Sequence, residues 1–410
     1  MSQDMAEVIV VGAGLAGLAC ARDLAAAGRE VLLVEAAEAV GGRMRTDLVR
    51  GFRLDRGFQV FNPAYPQVRR RIDLAALRLH PFTPGFLVAD GRGGRLRVAD
   101  PLHRPAQALG LLTGRSLPVA DLAALAALTL RDGLVPARVL KRGRETGTEE
   151  ALRRAGLSRR TVDGVLRPFL SGVFLEDGLE TSSRMFHLVW RSMVRGRLGL
   201  PERGVGAVPA QLAAGLAPDR LLLDSPVERL TADGVELAGG ARLRARAVVV
   251  ATGAARAARL LPGLVVPAAR AVTTFYHAAP VSPLREPTLV VDAERRVLNT
   301  VVLSEVVPGC SPDGRALVST SVLGTAAQEG EVRRRAGELY GVDPGSWEPL
   351  AAYRIAEALP ALPAPAVLSR GTRFGPGRYV CGDHRATGSV QGALASGARA
   401  AHEVLADLGG

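Results

Sequence analysis

Three glycines, Gly12-x-Gly14-x-x-Gly17, follow directly on the apolar run Val8 to Val11. Leu15 to Ala27 then read as a helix that Gly28 stops, and a second apolar run, Val31 to Val34, ends at Glu35. The chemistry of these residues is recognition of phosphate and ribose. Gly12 allows a tight turn, Gly14 lets the backbone approach a pyrophosphate, and Gly17 lets the helix pack close to the strand. The free N–H groups at the helix start face the phosphates. Glu35 stands where a carboxylate accepts a hydrogen bond from a ribose 2′-OH and repels a 2′-phosphate. The strand–turn–helix–strand–Glu order implies an adenine dinucleotide, without separating NAD from FAD.

Gly41-Gly42-Arg43 comes just after the glutamate. Two glycines and an arginine suit a second backbone approach to a long, extended cofactor, with Arg43 as a charge partner of the pyrophosphate. The plainer alternative is a glycine-rich surface turn. No second strand–GxGxxG–helix unit is evident, which disfavours a reductase driven by a nicotinamide cofactor. No Ser-His-Asp or metal constellation is evident either.

These residues need a large scaffold. At 410 residues, 48% apolar and 22% charged, the sequence reads as globular with two or three domains. The net charge is +12, and Lys141 is the one lysine, so arginine supplies 51 of the 52 basic residues. Genomic preference for arginine is the plain reading; a surface drawn to anionic lipid is the sharper one. The arginines are scattered and only 4% of residues are aromatic, so nucleic acid is not an expected partner. Cys20, Cys310 and Cys381 show no metal spacing, and so low a count suits a reducing cytoplasm. The polar opening "MSQDMAE" predicts no export signal. Val119 to Leu130 is about half the ~20 residues needed to span a bilayer and is expected to be a buried helix. A further helix is expected from an N-cap at Thr181 or Ser182 to Gly196, with Phe186, Val189, Trp190 and Met193 on one apolar face.

The segment Val8–Thr46, with "GFRLDRGFQVF" (Gly51 to Phe61) and "GRYVCGDHRATGSVQGALASGARAAHEVL" (Gly377 to Leu405), resembles the flavin-containing amine oxidase superfamily. That group includes monoamine and polyamine oxidases, protoporphyrinogen oxidase and phytoene desaturases. Glu202–Ala213 and Leu221–Ala254 resemble its middle segments. The resemblance implies an α/β fold: a Rossmann-like FAD-binding domain interleaved with an α+β substrate domain of mixed sheet plus helices. The FAD domain would take residues 1–75, 202–270 and 350–410. A mainly helical piece, 76–201, and a strand-rich piece, 271–349, would form the substrate domain. The strand-rich piece holds "RAVTTFYHA", "TLVVD", "RVLNTVVLS" and "ALVSTSVL".

The resemblance also assigns cofactor contacts. Gly12, Gly14, Gly17, Glu35, Gly42 and Arg43 would hold the dinucleotide. Val227 would touch the adenine through its backbone. Gly382 and Asp383 would meet the ribityl or pyrophosphate part, and Val390, Gln391 and Gly392 would start a helix beside the flavin pyrimidine. Gly57 would give backbone room near the flavin. His384 would move a proton or merely hydrogen-bond the cofactor or backbone, and Asp55 would fix a turn. The cysteine of covalent flavin members is missing from "LPALPAPAVLSRGTRF", which implies non-covalent FAD.

Two departures narrow the chemistry. Thr273 or Thr274 stands where many members place a lysine, and Ser389 stands where amine oxidases place an aromatic ring. The C-terminal motif looks closer to that of the phytoene and squalene-type desaturases. The expectation is therefore hydride abstraction from a C–C bond of an apolar small molecule, with reoxidation by oxygen or a quinone-like acceptor. Amine oxidation is the alternative. Further alternatives are a flavin-dependent isomerase and a non-catalytic prenyl-binding protein like the Rab GDP-dissociation inhibitors. A cytoplasmic protein is expected, with peripheral membrane contact as a variant. Tyr276 and His277 are expected after a strand, on opposite sides, and Arg167-Pro168-Phe169 either lines a channel or starts a loop.

Overall fold

The computed structural model describes residues 5–99 and 117–409. Met5–Val11 lies at the centre of an eight-stranded sheet, parallel to Val31–Val34 on one side and to Arg242–Val250 on the other. Arg378–Val380 pairs in parallel with the end of Arg242–Val250. Both faces of the central strand are covered, which is why Val8 to Val11 is an unbroken apolar run rather than an alternating one. The helix Leu15–Ala26 and the C-terminal helix Val390–Asp407 cover one face through Leu18, Leu24, Leu394 and Val404. The opposite face packs on Val227, Val248 and Leu260. The two helices approach so closely that a Cβ on Gly397 would stand 2.0 Å from the Ala16 carbonyl oxygen.

A second, seven-stranded sheet runs in the order Glu348–Pro360, Ala269–Ala279, Ala316–Leu323, Asn299–Val302, Leu289–Asp292, Gly85–Ala89, Arg95–Ala99. Its pairings are antiparallel except that between Leu289–Asp292 and Gly85–Ala89. Helix Glu329–Tyr340 packs on one face through Val332, Ala336 and Leu339.

Several expectations change. The domain boundary at 350 falls inside the strand Glu348–Pro360, which pairs along its length with Ala269–Ala279. Its residues therefore belong to the second sheet. The described part of the 76–201 piece is mainly helical, but it also supplies Gly85–Ala89 and Arg95–Ala99, which form the far edge of that sheet. Short apolar runs read alike in helix and strand, and only their partners decide. Arg167–Phe174 is a helix rather than a loop start, and Phe169 stacks on Phe86 with centroids 4.4 Å apart. Tyr276 and His277 lie within a strand, not after it.

The predicted helix forms over Ser183–Val194, with Ser182 at the N-cap position but its hydroxyl given to Glu145, and with Phe186 buried in the helical core. The helix Val119–Leu134 also forms but is not a buried apolar helix. It buries Asp121, Leu128 and Asp132, and leaves Val119, Leu130 and Leu134 exposed. Its two carboxylates turn inward because they have partners. Asp121 accepts from the Ser158 N–H at 2.8 Å and from the Ser158 and Thr161 hydroxyls, and Asp132 meets His187 Nδ1 at 2.7 Å. Among the described residues no helix is long and apolar enough to cross a membrane.

Candidate functional site

The glycine turn connects the central strand to the first helix. Gly12 has φ +104, and a Cβ there would press on Ala251 O at 3.0 Å. A Cβ on Gly17 would overlap Gly12 O at 1.9 Å. Both glycines are therefore required by the protein's own packing. Gly14 differs. Nothing lies within 4 Å of a Cβ built on it, and its φ of −72 suits any residue. The space it leaves open is what an approaching pyrophosphate needs.

Gly42, at φ +58, faces the same space, and its Cβ would come within 3.5 Å of Gly14 Cα. The hydrogen bond from Gly41 N to Ala13 O, 2.9 Å, holds the two turns together. The second glycine turn is thus packed beside the first rather than standing free on the surface. Glu35 closes one side: Oε2 accepts from Ala13 N at 2.6 Å and Oε1 from Ala37 N at 3.0 Å. Each carboxylate oxygen keeps a further lone pair for a ribose hydroxyl. The backbone of Ser225 bonds to Glu35 O, which brings the strand Val227–Thr231 alongside. Val227 is buried there, and its carbonyl accepts from the Arg256 guanidinium.

The third wall comes from the C-terminal motif. Arg43 Nη2 donates to Asp383 Oδ1 at 2.7 Å, and Nη1 donates to Ala358 O at 2.9 Å. Burial works against the Arg43 charge, but Asp383 more than compensates and holds the guanidinium protonated. Gly382, at φ +148, donates its N–H to Ser396 Oγ at 3.1 Å, which ties this turn to the C-terminal helix. Ser396 carried no sequence signal; the thirteen intervening residues hide the contact. His384 is 4% exposed, and neither ring nitrogen has a partner. Burial pushes its imidazole down to about 4, against the pull of Asp383. Two unpartnered nitrogens in a buried neutral ring fit a polar ligand at this wall.

The helix Val390–Asp407 starts beside this turn. Ser389, in the place of an aromatic ring, is its N-cap and accepts from Gly392 N at 3.1 Å. Val390 is half-buried against the core, and Gln391 Oε1 accepts from Gln67 N at 2.9 Å. Gln391 therefore braces the helix Pro66–Arg71 in this structure.

The fourth wall links the two sheets. Phe58 N, next to Gly57 at φ +88, donates to Thr274 Oγ1 at 3.2 Å. Thr274 also shares a hydrogen bond of 2.9 Å with Ser321, while Thr273 points the other way, to Gly324 O. Strand alternation thus resolves the pair: Thr274 faces the Gly57 turn. Tyr276 shares that side and donates to Asp55 O at 2.8 Å, whereas His277 meets Glu329 at 2.8 Å on the opposite side. Asp55 Oδ1 accepts from Thr46 Oγ1 at 2.6 Å and Val205 N at 3.0 Å. Burial raises its carboxyl to about 6. Thr46 is a second residue missed in the sequence. Its hydroxyl accepts from Gly206 N at 2.9 Å and locks the middle glycine segment to the hairpin Thr46–Asp55. Among the described residues no group of His, Cys, Asp or Glu is placed to hold a metal ion.

The profile of the flavin containing amine oxidoreductase family matches residues 15–405. A hydroxyneurosporene desaturase from Cereibacter sphaeroides is 63% identical over 46 residues, 11% of this chain and 9% of its own length. A putrescine oxidase from Kocuria rosea is 42% identical over 74 residues, 18% of this chain and 16% of its own. These matches span less than a fifth of either relative. The crystal structure of an oxidoreductase from Methanosarcina mazei shares the fold, with a TM-score of 0.73 at 18% identity, over 97% of this chain and 99% of that one.

Proposed function

Because this chain belongs to the flavin-containing amine oxidoreductase family, we propose that it is an FAD-dependent oxidoreductase acting on a C–C bond of an apolar small molecule, in the manner of a desaturase. When bound, the flavin accepts the hydride and its electron pair. The FAD-binding pieces are residues 1–75, 202–270 and about 361–410, and the second sheet with its helices is the substrate domain. Gly14 and Gly42 leave the room that would admit the pyrophosphate, the close packing of Gly12 and Gly17 fixes the turn, and Glu35 would take the ribose. Arg43 and Asp383 clasp the middle of the cofactor, and His384 offers it a neutral hydrogen-bonding edge. Val227 lies at the adenine end, and Gly57, Val390 and Gln391 lie towards the flavin ring. The sequence has no cysteine between Leu359 and Phe374, which supports non-covalent attachment. The three cysteines are free and buried, as suits a reducing compartment such as the cytoplasm.

The observation that carries the desaturase-like reading is Thr274. The strand position facing the Gly57 turn holds a small hydroxyl already bonded to Phe58 N and Ser321, so this position supplies no cationic group to organise a proton relay. Asp55 beside it is engaged with Thr46 and Val205. Hydride loss from one carbon is matched by loss of a proton from its neighbour to water, and at this wall the chain contributes orientation rather than a dedicated base. Amine oxidation is the second reading, and His384 favours it. A neutral imidazole with unpartnered nitrogens can accept a hydrogen bond from an amine N–H at this wall.

Heat-denaturing the yellow protein and recovering FAD in the supernatant checks the cofactor and its attachment. Flavin remaining on the precipitated chain defeats the non-covalent assignment. Anaerobic bleaching by lipid fractions of a cell extract supports dehydrogenation of an apolar substrate. Bleaching by basic polar fractions alone replaces it with amine oxidation.

A further inference from the structure

The helix Val119–Leu134 and the turn after it form a surface of one character. Val119, Ala123, Ala126, Ala127, Leu130 and Leu134 recur at helical spacing on one face, opposite the buried Asp121, Leu128 and Asp132. Val119, Leu130 and Leu134 are 72%, 61% and 70% exposed, and Val139 follows at 51%. The exposed charges from 117 to 144 are all basic: Arg131, Arg138, Lys141, Arg142 and Arg144. Both acids in the stretch are turned inward and bonded. Among the described residues, Arg138, Lys141, Arg142 and Arg144 make no ion pair, and Arg131 Nε only approaches Asp132, at 3.9 Å. Elsewhere the protein pairs its arginines freely, as at Arg335, which meets Asp292, Glu294 and Glu338.

An apolar stripe ~24 Å long, followed in the chain by unneutralised cations, is costly to leave in water. We propose that this face docks on a bilayer containing anionic lipid. The helix lies in the interfacial plane, its apolar stripe enters the headgroup boundary, and the arginines and Lys141 meet lipid phosphates and carboxylates. Charge complementarity selects this occupant. A second copy of the chain would set the same unpaired cations against one another, and an ordinary apolar partner surface would leave them buried without counter-charge. The helix lies on the surface and does not span. The proposal is independent of the reaction assigned above.

The test uses the full flavin-loaded chain, sedimented with phosphatidylcholine vesicles with and without phosphatidylserine. Binding is expected only with phosphatidylserine, and it should fall as salt rises. Leu130→Glu with Leu134→Glu should abolish it while leaving flavin content and circular dichroism unchanged, because both side chains are exposed. Arg138→Glu with Arg142→Glu should weaken it at least about ten-fold. The charge variant and the salt series keep the test decisive if the leucine variant folds poorly. No vesicle binding, equal binding to neutral vesicles, or binding that the helix and charge variants leave intact each overturns the proposal. So does a dimer in sedimentation velocity that Leu130→Glu with Leu134→Glu dissociates, since that gives the face to a second copy.

Discussion

Arg43 Nη2 and Asp383 Oδ1 meet at 2.7 Å across 340 residues of sequence. The contact joins the turn after the second strand to the turn before the last helix, and Arg43 also reaches the Ala358 carbonyl. One guanidinium therefore holds three separate segments around the cradle. Charge-assisted hydrogen bonds thus add to the apolar packing that sets their arrangement.

Breaking that clasp is expected to release flavin. The Asp383 side chain is 9% exposed and that of Arg43 40% exposed, so the pair is only partly desolvated. Arg43→Ala should weaken flavin retention by about 1–3 kcal/mol, roughly five- to 150-fold. Asp383→Ala should cost a similar amount, and the double variant should cost less than the sum. Flavin titration of the apoproteins measures all three. Strict additivity would show that the two residues do not act on the cofactor as a unit.

The glycines of the first turn should separate function from stability. Gly14 has open space and an ordinary φ, so Gly14→Val should emerge colourless and melt at the temperature of the wild-type apoprotein. Gly17→Ala places a Cβ 1.9 Å from Gly12 O. It should lose stability by about 1–3 kcal/mol whether or not flavin is present. Yellow Gly14→Val protein with full flavin content would falsify the cradle.

His384 and Asp55 should shift stability with pH in opposite senses. The folded imidazole, near 4, lies below its unfolded value, so the unfolded chain binds more protons between about 6.5 and 4. Stability is lost as pH falls through that window, on the order of 3 kcal/mol in full. The Asp55 carboxyl, near 6, lies above its unfolded value. It costs stability above about 6 and returns it as pH falls, about 2 kcal/mol after allowance for its partial exposure. In urea melts of the apoprotein at pH 4 to 8, His384→Gln should flatten the acid loss and Asp55→Asn should steepen it. Parallel profiles for the two variants contradict these environments.

Ser389 is expected to matter as a cap and not as a flavin contact. Ser389→Ala removes the acceptor of the Gly392 N–H and should cost about 1 kcal/mol. Flavin reduction by substrate should keep its rate. A large fall in that rate with an unchanged melting temperature would move Ser389 into the reacting centre.

The local parts of the site were legible in the sequence because their cause is local. A strand running into Gly12, Gly14 and Gly17, a helix, and a strand ending at Glu35 is a contiguous arrangement, set by backbone conformation and by closeness of approach. The family resemblance extended the reading to Asp383 and His384, whose roles no spacing rule would supply. What tertiary structure alone decided is pairing. Thr273 and Thr274 look equivalent in the sequence, and only the register of Ala269–Ala279 against its neighbours turns Thr274 towards Gly57. The strand Glu348–Pro360 crossed an inferred domain boundary because its partner lies about eighty residues earlier. The helix Val119–Leu134 reads as apolar, yet it turns two aspartates inward, since Ser158, Thr161 and His187 offer hydrogen bonds that leucines cannot use. Hydrophobic pattern records the average environment of a segment. Which side faces in is settled by the buried polar groups that find partners, and those partners are distant in sequence.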